Sequence, residues 1–165
     1  MMNINVSVLL IIALTIAGCS TSSNSQMVRE TDIRIVFENS DGDNLLSGNT
    51  SNTITEQNTD LYYLNNGKKE KIFNGNHDYP KQFYITDESR EHEMILFPHI
   101  KSDQDTARTL IKAGTFAMDT LKVEYEHSQN VIAVHQLWYN GELKWDTNEQ
   151  TDRKIVVTKS SPESN

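Results

Sequence analysis

Few side chains in this 165-residue chain have both the type and the spacing to do chemistry. Its five histidines are His77, His92, His99, His127 and His135. None stands in a His-x-x-x-His spacing, the pattern that puts two metal ligands on one helix face. His92 and Met94 share one side of a strand-like run, a pairing that soft metals accept. Scattered surface histidines are nevertheless the expectation. Asp41-Gly42-Asp43-Asn44 begins like a calcium loop with alternating carboxylates. Leu45 then falls where the third ligand belongs, Leu46 replaces the loop glycine, and position 52 is Asn rather than the closing Glu. A plain Asp-Gly turn is expected there, with no metal and no cofactor. His135 and Asp146 could pair across a hairpin and raise the histidine's pKa. No nucleophile completes a triad with them, and no Gly-x-Ser-x-Gly is present. The expectation is therefore no catalytic residue and no enzyme. Exposed Tyr beside His or Asp can stack on sugars or contact proteins. That makes Tyr139, His135 and Asp146 candidate contacts for a protein or glycan partner.

The lone cysteine is more informative. Residues 1–19 contain no Lys, Arg, Asp or Glu. The apolar run Val6–Leu14 is shorter than the roughly 20 residues of a transmembrane helix. It suits the h-region of a signal peptide, about 7–15 residues. Ile16-Ala17-Gly18-Cys19 then resembles a bacterial lipobox: an aliphatic residue, two small residues and Cys. The resemblance implies recognition of Ile16, Ala17 and Gly18 by a lipoprotein signal peptidase. It also implies a diacylglyceryl thioether and an N-acyl chain on Cys19, and so a membrane anchor. Thiolate is the nucleophile such chemistry needs near neutral pH. Ser20 is no inner-membrane retention residue, which points to the outer membrane of the cell envelope. The n-region departs from the pattern in having no Lys or Arg.

Composition bounds the rest. A single Cys excludes an internal disulfide framework and a thiolate-clustered zinc site. Fifteen Lys+Arg against 23 Asp+Glu give a net charge of −8, which argues against a nucleic-acid partner. Ser20–Gln26 is polar and low in complexity, a flexible linker with a reach on the order of 15 Å. The organisation expected is a signal peptide over 1–18, a lipidated tether over 19–31, one β domain over 32–159 and a disordered tail over 160–165.

The elements that must position any site read mainly as short strands. Ile33–Glu38 alternates with Ile33, Ile35 and Phe37 on one side. Leu61–Leu64 and Lys69–Phe73 flank Asn66-Gly67, a hairpin signal, because type I′ turns need positive φ at both centres. Tyr62 and Tyr63 should face opposite ways. Gln82–Thr86, Glu93–Phe97, Asp119–Tyr125, Val131–Tyr139, Glu142–Trp145 and Lys154–Lys159 follow. Residues 39–60 form a long polar connection, a crossover between sheets or partly disordered. Asp105–Ala113, stopped by Gly114, reads as a two-turn helix. A two-residue turn at Asn140-Gly141 sets Trp138 against Leu143 and His135 against Asp146. On that register Trp138, Leu143, Trp145, Val134 and Ile132 face the core as one set, with the two tryptophans diagonal neighbours. Tyr139, Glu142, Lys144, His135 and Asp146 face water, since such charges are not buried unpaired.

Lipobox, Ser-rich tether, Asp41–Leu46, Asp119-Thr120-Leu121 and Trp138-Tyr139-Asn140-Gly141-Glu142 occur together. The set is similar to small Bacteroidota-type lipoproteins with immunoglobulin-like domains. The resemblance implies an antiparallel immunoglobulin-like β-sandwich over about Asp32–Lys159, with a small lipocalin-like barrel as the alternative. It brings no catalytic residues. The expected role is a non-catalytic binding or structural module of the envelope, or, for the barrel, a carrier of a small apolar ligand. Labelling of the protein by radioactive palmitate in cells is expected, and its loss in Cys19→Ala; labelling retained in that variant refutes the anchor.

Overall fold

A computed structural model describes residues 27–65, 67–86, 91–98 and 105–160. Ile16, Ala17, Gly18, Cys19, the signal peptide, His99 and the tail after Ser160 lie outside them. Among the described residues there are eleven strands and no helix. They are β1 (Val28–Glu30), β2 (Ile33–Glu38), β3 (Thr59–Asn65), β4 (Lys68–Lys71), β5 (Phe83–Ile85) and β6 (Met94–Leu96). Then come β7 (Thr106–Ala113), β8 (Asp119–His127), β9 (Val131–Tyr139), β10 (Glu142–Asp146) and β11 (Lys154–Thr158).

The strands make two sheets. One has the order β1-β9-β8-β7-β3-β4, with β10 also paired to β9; the other is β11-β2-β6-β5. Inward residues of both, Ile33, Ile35, Phe37, Leu61, Ile111, Leu121, Leu137 and Ile155 among them, form one hydrophobic cluster. Alternation of apolar and polar residues along each strand produces this, because successive side chains point to opposite faces. The result is sandwich-like, and the sheets do not close, so the barrel expectation fails. The purely antiparallel expectation fails as well. β1 runs parallel to β9, and β11 runs parallel to β2. Only Thr31 and Asp32 separate β1 from β2, so the chain passes from one sheet to the other at its start. β1 also lies within the stretch read as tether, and the folded unit begins by Val28.

The helix expected over 105–113 is strand β7. Ala107, Thr109, Ile111 and Ala113 all point inward at period two. β7 lies between β3 and β8, paired to each. Two flanking ladders outweigh the weak intrinsic preference of a short helix. Residues 39–60 are the crossover between the sheets. Leu45, Leu46 and Ile54 are buried in it, tied by Leu45 N–H to Phe37 O and Ile54 N–H to Leu45 O.

The β9–β10 hairpin departs from the expected phase. Its turn is as expected: Asn140 and Gly141 have φ of 51° and 86°, and Tyr139 pairs with Glu142 and Trp138 with Leu143. The ladder then slips, so that Trp145 pairs with Leu137 and Asp146 with Gln136, leaving Lys144 as the extra residue. On the other side of β9 the pairing shifts between Glu124 and Tyr125, leaving His135 extra. Each bulge reverses the in/out phase. Ile132, Val134 and Trp145 are buried as expected, but Leu137 and Tyr139 join them, while Trp138 and Leu143 turn outward. The two tryptophans are not core neighbours.

Inward rotation of Tyr139 completes a buried polar knot. Its hydroxyl donates to Asp119 Oδ2 at 2.8 Å, Asn140 Nδ2 donates to Asp119 Oδ1 at 2.9 Å, and Lys159 pairs with the same carboxylate. The Lys159 ammonium also lies 5.5 Å from the ring centres of Phe37 and Phe116. Burial, then the Asp119 charge and hydrogen bond, push the Tyr139 hydroxyl far above the usual tyrosine value. Burial pushes Tyr125 up too, and Tyr63 up to about 12.

These raised values stabilise the fold while the unfolded tyrosines keep their protons, below about pH 10. Above that, the unfolded chain binds fewer protons than the folded one, and stability falls as pH rises toward 12. Urea melts between pH 8 and 12 are expected to show a midpoint falling above pH 10. Absorbance at 295 nm should show part of the tyrosine titration delayed until the chain unfolds.

Candidate functional site

The sequence-derived candidates are not assembled as expected. Tyr139 is buried in the knot and offers no surface contact. His135 is set aside by its bulge, and its Nδ1 is buried with no hydrogen-bond partner among the described residues. Asp146 binds Gln136 Nε2 instead, and accepts at 2.8 Å from Asn148 N–H. The Gln136 bond, then the Asn148 backbone, hold the Asp146 carboxyl below its usual value, and His135 contributes least. His92 Nδ1 lies 3.2 Å from Thr86 O, while Met94 is in the core. Asn39 Oδ1 accepts from Asp41 N–H and Asp43 N–H, which makes Asp41–Asp43 a self-bonded turn. No group of three His, Cys, Asp or Glu suited to a metal occurs among the described residues.

A different region gathers the features of a binding site. The loop from Phe73 to Gln82 links β4 in one sheet to β5 in the other. Asn74 N–H donates to Pro80 O at 2.8 Å, and His77 N–H to Asn74 O at 3.1 Å, so the loop closes on itself. Gln82 ends it in the left-handed region, with φ of 60°, an unusual state for a non-glycine residue. Three ties hold it there: Gln82 N–H to Tyr79 O, Phe97 N–H to Gln82 O, and a 2.9 Å contact of Gln82 Nε2 with His77 Nδ1.

Above β5 and β6 the loop lays Tyr79 on Tyr84, centroids 4.4 Å apart and planes 21° from parallel. Phe97 is the third ring, 5.7 Å from Tyr79. Tyr79 remains 41% exposed and Phe73 69% exposed. Both line a cleft of about 260 Å³ with Pro80, Glu56, Asp78 and Lys81. Tyr79 and Asp78 also line a second depression with His77, Gln82 and Phe97, so Tyr79 forms the ridge between two hollows. Lys81 secures the floor: Nζ donates to Glu56 O at 2.6 Å and Thr59 O at 2.8 Å, and pairs with Asp60 at 3.5 Å. Glu56 Oε1 accepts from Ile85 N–H at 3.0 Å. Backbone and side-chain bonds thus fix the cleft before any ligand arrives, and Phe73 and Tyr79 remain exposed on it.

The strand-by-strand reading passed over this loop because nothing in it is periodic. Its signal was of another kind: two aromatics, a histidine and an aspartate inside a run rich in Asn, Gly and Pro. A loop that carries large rings is a place to look for function. Comparison with protein-family models, with curated proteins and with solved structures finds no match to this chain.

Lys81→Ala removes two charge-assisted hydrogen bonds and is expected to cost about 1–3 kcal/mol. Chemical denaturation measures this, and proteolysis of the native protein should become faster within residues 54–60.

Proposed function

We propose that this chain is a lipid-anchored envelope lipoprotein, directed to the outer membrane, whose β domain is a non-catalytic module binding a saccharide at the Phe73–Tyr79 cleft. One observation carries the ligand class: two large rings stand open to solvent on a fixed base, with carboxylate, ammonium, imidazole and amide groups around them. Pyranose rings present C–H faces that stack on aromatic planes and hydroxyls that need a few placed polar partners. A protein partner uses rings as well, but it needs a wider buried patch than these two hollows offer.

The lipobox at Ile16–Cys19 supports the anchor, and the acidic β domain behind a polar linker fits an extracytoplasmic module. The two facing sheets and short strands support placing the domain near the immunoglobulin-like class in broad architecture. An internal carrier of an apolar ligand is not adopted, because side chains from both sheets fill the interior.

Calorimetric titration of the full-length protein in detergent with hexasaccharides of glucose (α-1,4 and β-1,4), xylose, mannose and N-acetylglucosamine tests the reading. Binding of at least one is expected, weakened about tenfold or more by Phe73→Ala and by Tyr79→Ala. No binding in the panel, or binding indifferent to both substitutions, overturns the saccharide assignment.

A further inference from the structure

A row of basic residues crosses the outward face of the larger sheet, in a chain whose net charge is −8. Outward residues of β7 and β8 alternate with the buried ones, which sets Arg108, Leu110 and Lys112 beside Thr120, Lys122 and Glu124. The ladders align a band across six strands. Lys69 pairs with Leu64, Arg108 with Lys122, Lys122 with Trp138 and Trp138 with Leu143. Leu64 follows the Tyr63–Thr109 pair and so comes beside Arg108. At about 4.8 Å per strand the band is about 24 Å long. Leu64, Arg108, Lys122 and Trp138 line a shallow depression of about 660 Å³ in it.

Two properties of the band point the same way. Two of its three cations are unpaired: Arg108 and Lys69 have no carboxylate partner among the described residues, while Lys122 Nζ meets Glu124 at 2.7 Å. Lys69 instead lies 4.9 Å from the centre of the Tyr62 ring, and Lys122 lies 3.9 Å from that of Trp138. Such a row is unexpected in a chain of net charge −8. The band is also aliphatic as well as aromatic, with Leu64 37% and Leu143 46% exposed. Saccharides and other hydrophilic polyanions give leucine nothing to bury against. The interface of a bilayer does, and it accepts Trp and Lys/Arg at headgroup depth.

We infer that this face docks on an anionic phospholipid surface, with Lys69, Arg108 and Lys122 toward headgroup phosphates and Trp138, Leu143 and Leu64 toward the acyl boundary. The inference rests on the lipoprotein reading for its setting. β1, which follows the polar stretch Ser20–Gln26, pairs with β9, the strand that carries Trp138. An anchored domain of net charge −8 would be repelled by an anionic leaflet in most orientations, and this band selects the orientation in which it is not.

The chain has two tryptophans, and Trp145 is buried. Both emit, but short-range quenching by bromolipid reaches the outward Trp138 and not the buried Trp145, and Trp138→Phe checks that assignment. Full-length lipidated protein is reconstituted into vesicles of brominated phosphatidylcholine with or without phosphatidylglycerol. Quenching several-fold greater with phosphatidylglycerol is expected, reversed by about 0.5 M NaCl and by Lys69→Glu/Arg108→Glu. Both substituted residues are exposed, and an unchanged circular dichroism melt verifies the fold. Equal quenching in the two lipids, or quenching indifferent to the charge reversals, overturns the inference. Binding to polygalacturonate that is lost in the double variant, without phosphatidylglycerol-dependent quenching, overturns it in favour of an acidic glycan. Failure of the anchor alone is recognised separately: palmitate labelling is absent, yet Cys19→Ala protein still sediments with phosphatidylglycerol vesicles.

Discussion

Asp119 sits at the start of β8 and accepts from three donors that arrive from different parts of the chain. Tyr139 comes from the end of β9, Asn140 from the turn that follows, and Lys159 from just beyond β11. A carboxylate and an ammonium with so little water around them lose several kcal/mol of hydration each unless their partners are in place. The arrangement therefore ties three choices together. Tyr139 must point inward, the chain after β11 must return beside β8, and the two sheets must meet where Phe37 and Phe116 enclose the ammonium. The bulges at His135 and Lys144 let one strand satisfy the apolar pattern near Val134 and still present Tyr139 to Asp119.

That dependence explains what could be read from the residues and what could not. Alternation made Ile33–Glu38 and Asp119–Tyr125 legible as strands, and the β-branched run Ile155-Val156-Val157 did so for Lys154–Lys159. The turn at Asn140-Gly141 was legible because only a few residue pairs accept its backbone. The phase beyond the turn was not, since a bulge leaves no local signature and one residue of slip moves Trp138 from core to surface. β7 was misread because Ala107, Leu110 and Lys112 are good helix formers and their fate depends on neighbours distant in sequence. The buried Leu45, Leu46 and Ile54 lay in a stretch whose polar composition hid them. Parallel pairing of β1 and β11 depends on topology alone. Of the candidate site, the pairing of His135 with Asp146 failed at the Lys144 bulge, and the His135 bulge on β9 rotated Tyr139 inward. The aromatic loop carried its signal in composition rather than period.

The cleft and the basic band belong to different parts of the fold. The cleft forms where the chain leaves the edge of one sheet at β4 and enters the other at β5: Tyr79 rests on Tyr84 of β5, and Lys81 ties the loop to Thr59 and Asp60 of β3. The band needs only the flat pairing of one sheet. β1 and β4 are opposite edges of that sheet. The Phe73–Gln82 loop, which follows β4, thus stands the width of the sheet from β1.

The short parallel strand β1 has a mechanical meaning. Load applied through the N-terminal end enters the fold at Val28–Glu30, whose three pairs with Val131–Ala133 are all that join it to β9. It must part before force reaches β2, which is held on both sides by β11 and β6. Its release adds about 10 Å of extended chain ahead of β2, at about 3.3 Å per residue, and leaves the knot around Asp119 intact. The molecule thus has a sacrificial link at the point where a pull arrives, in series with a core built to resist it.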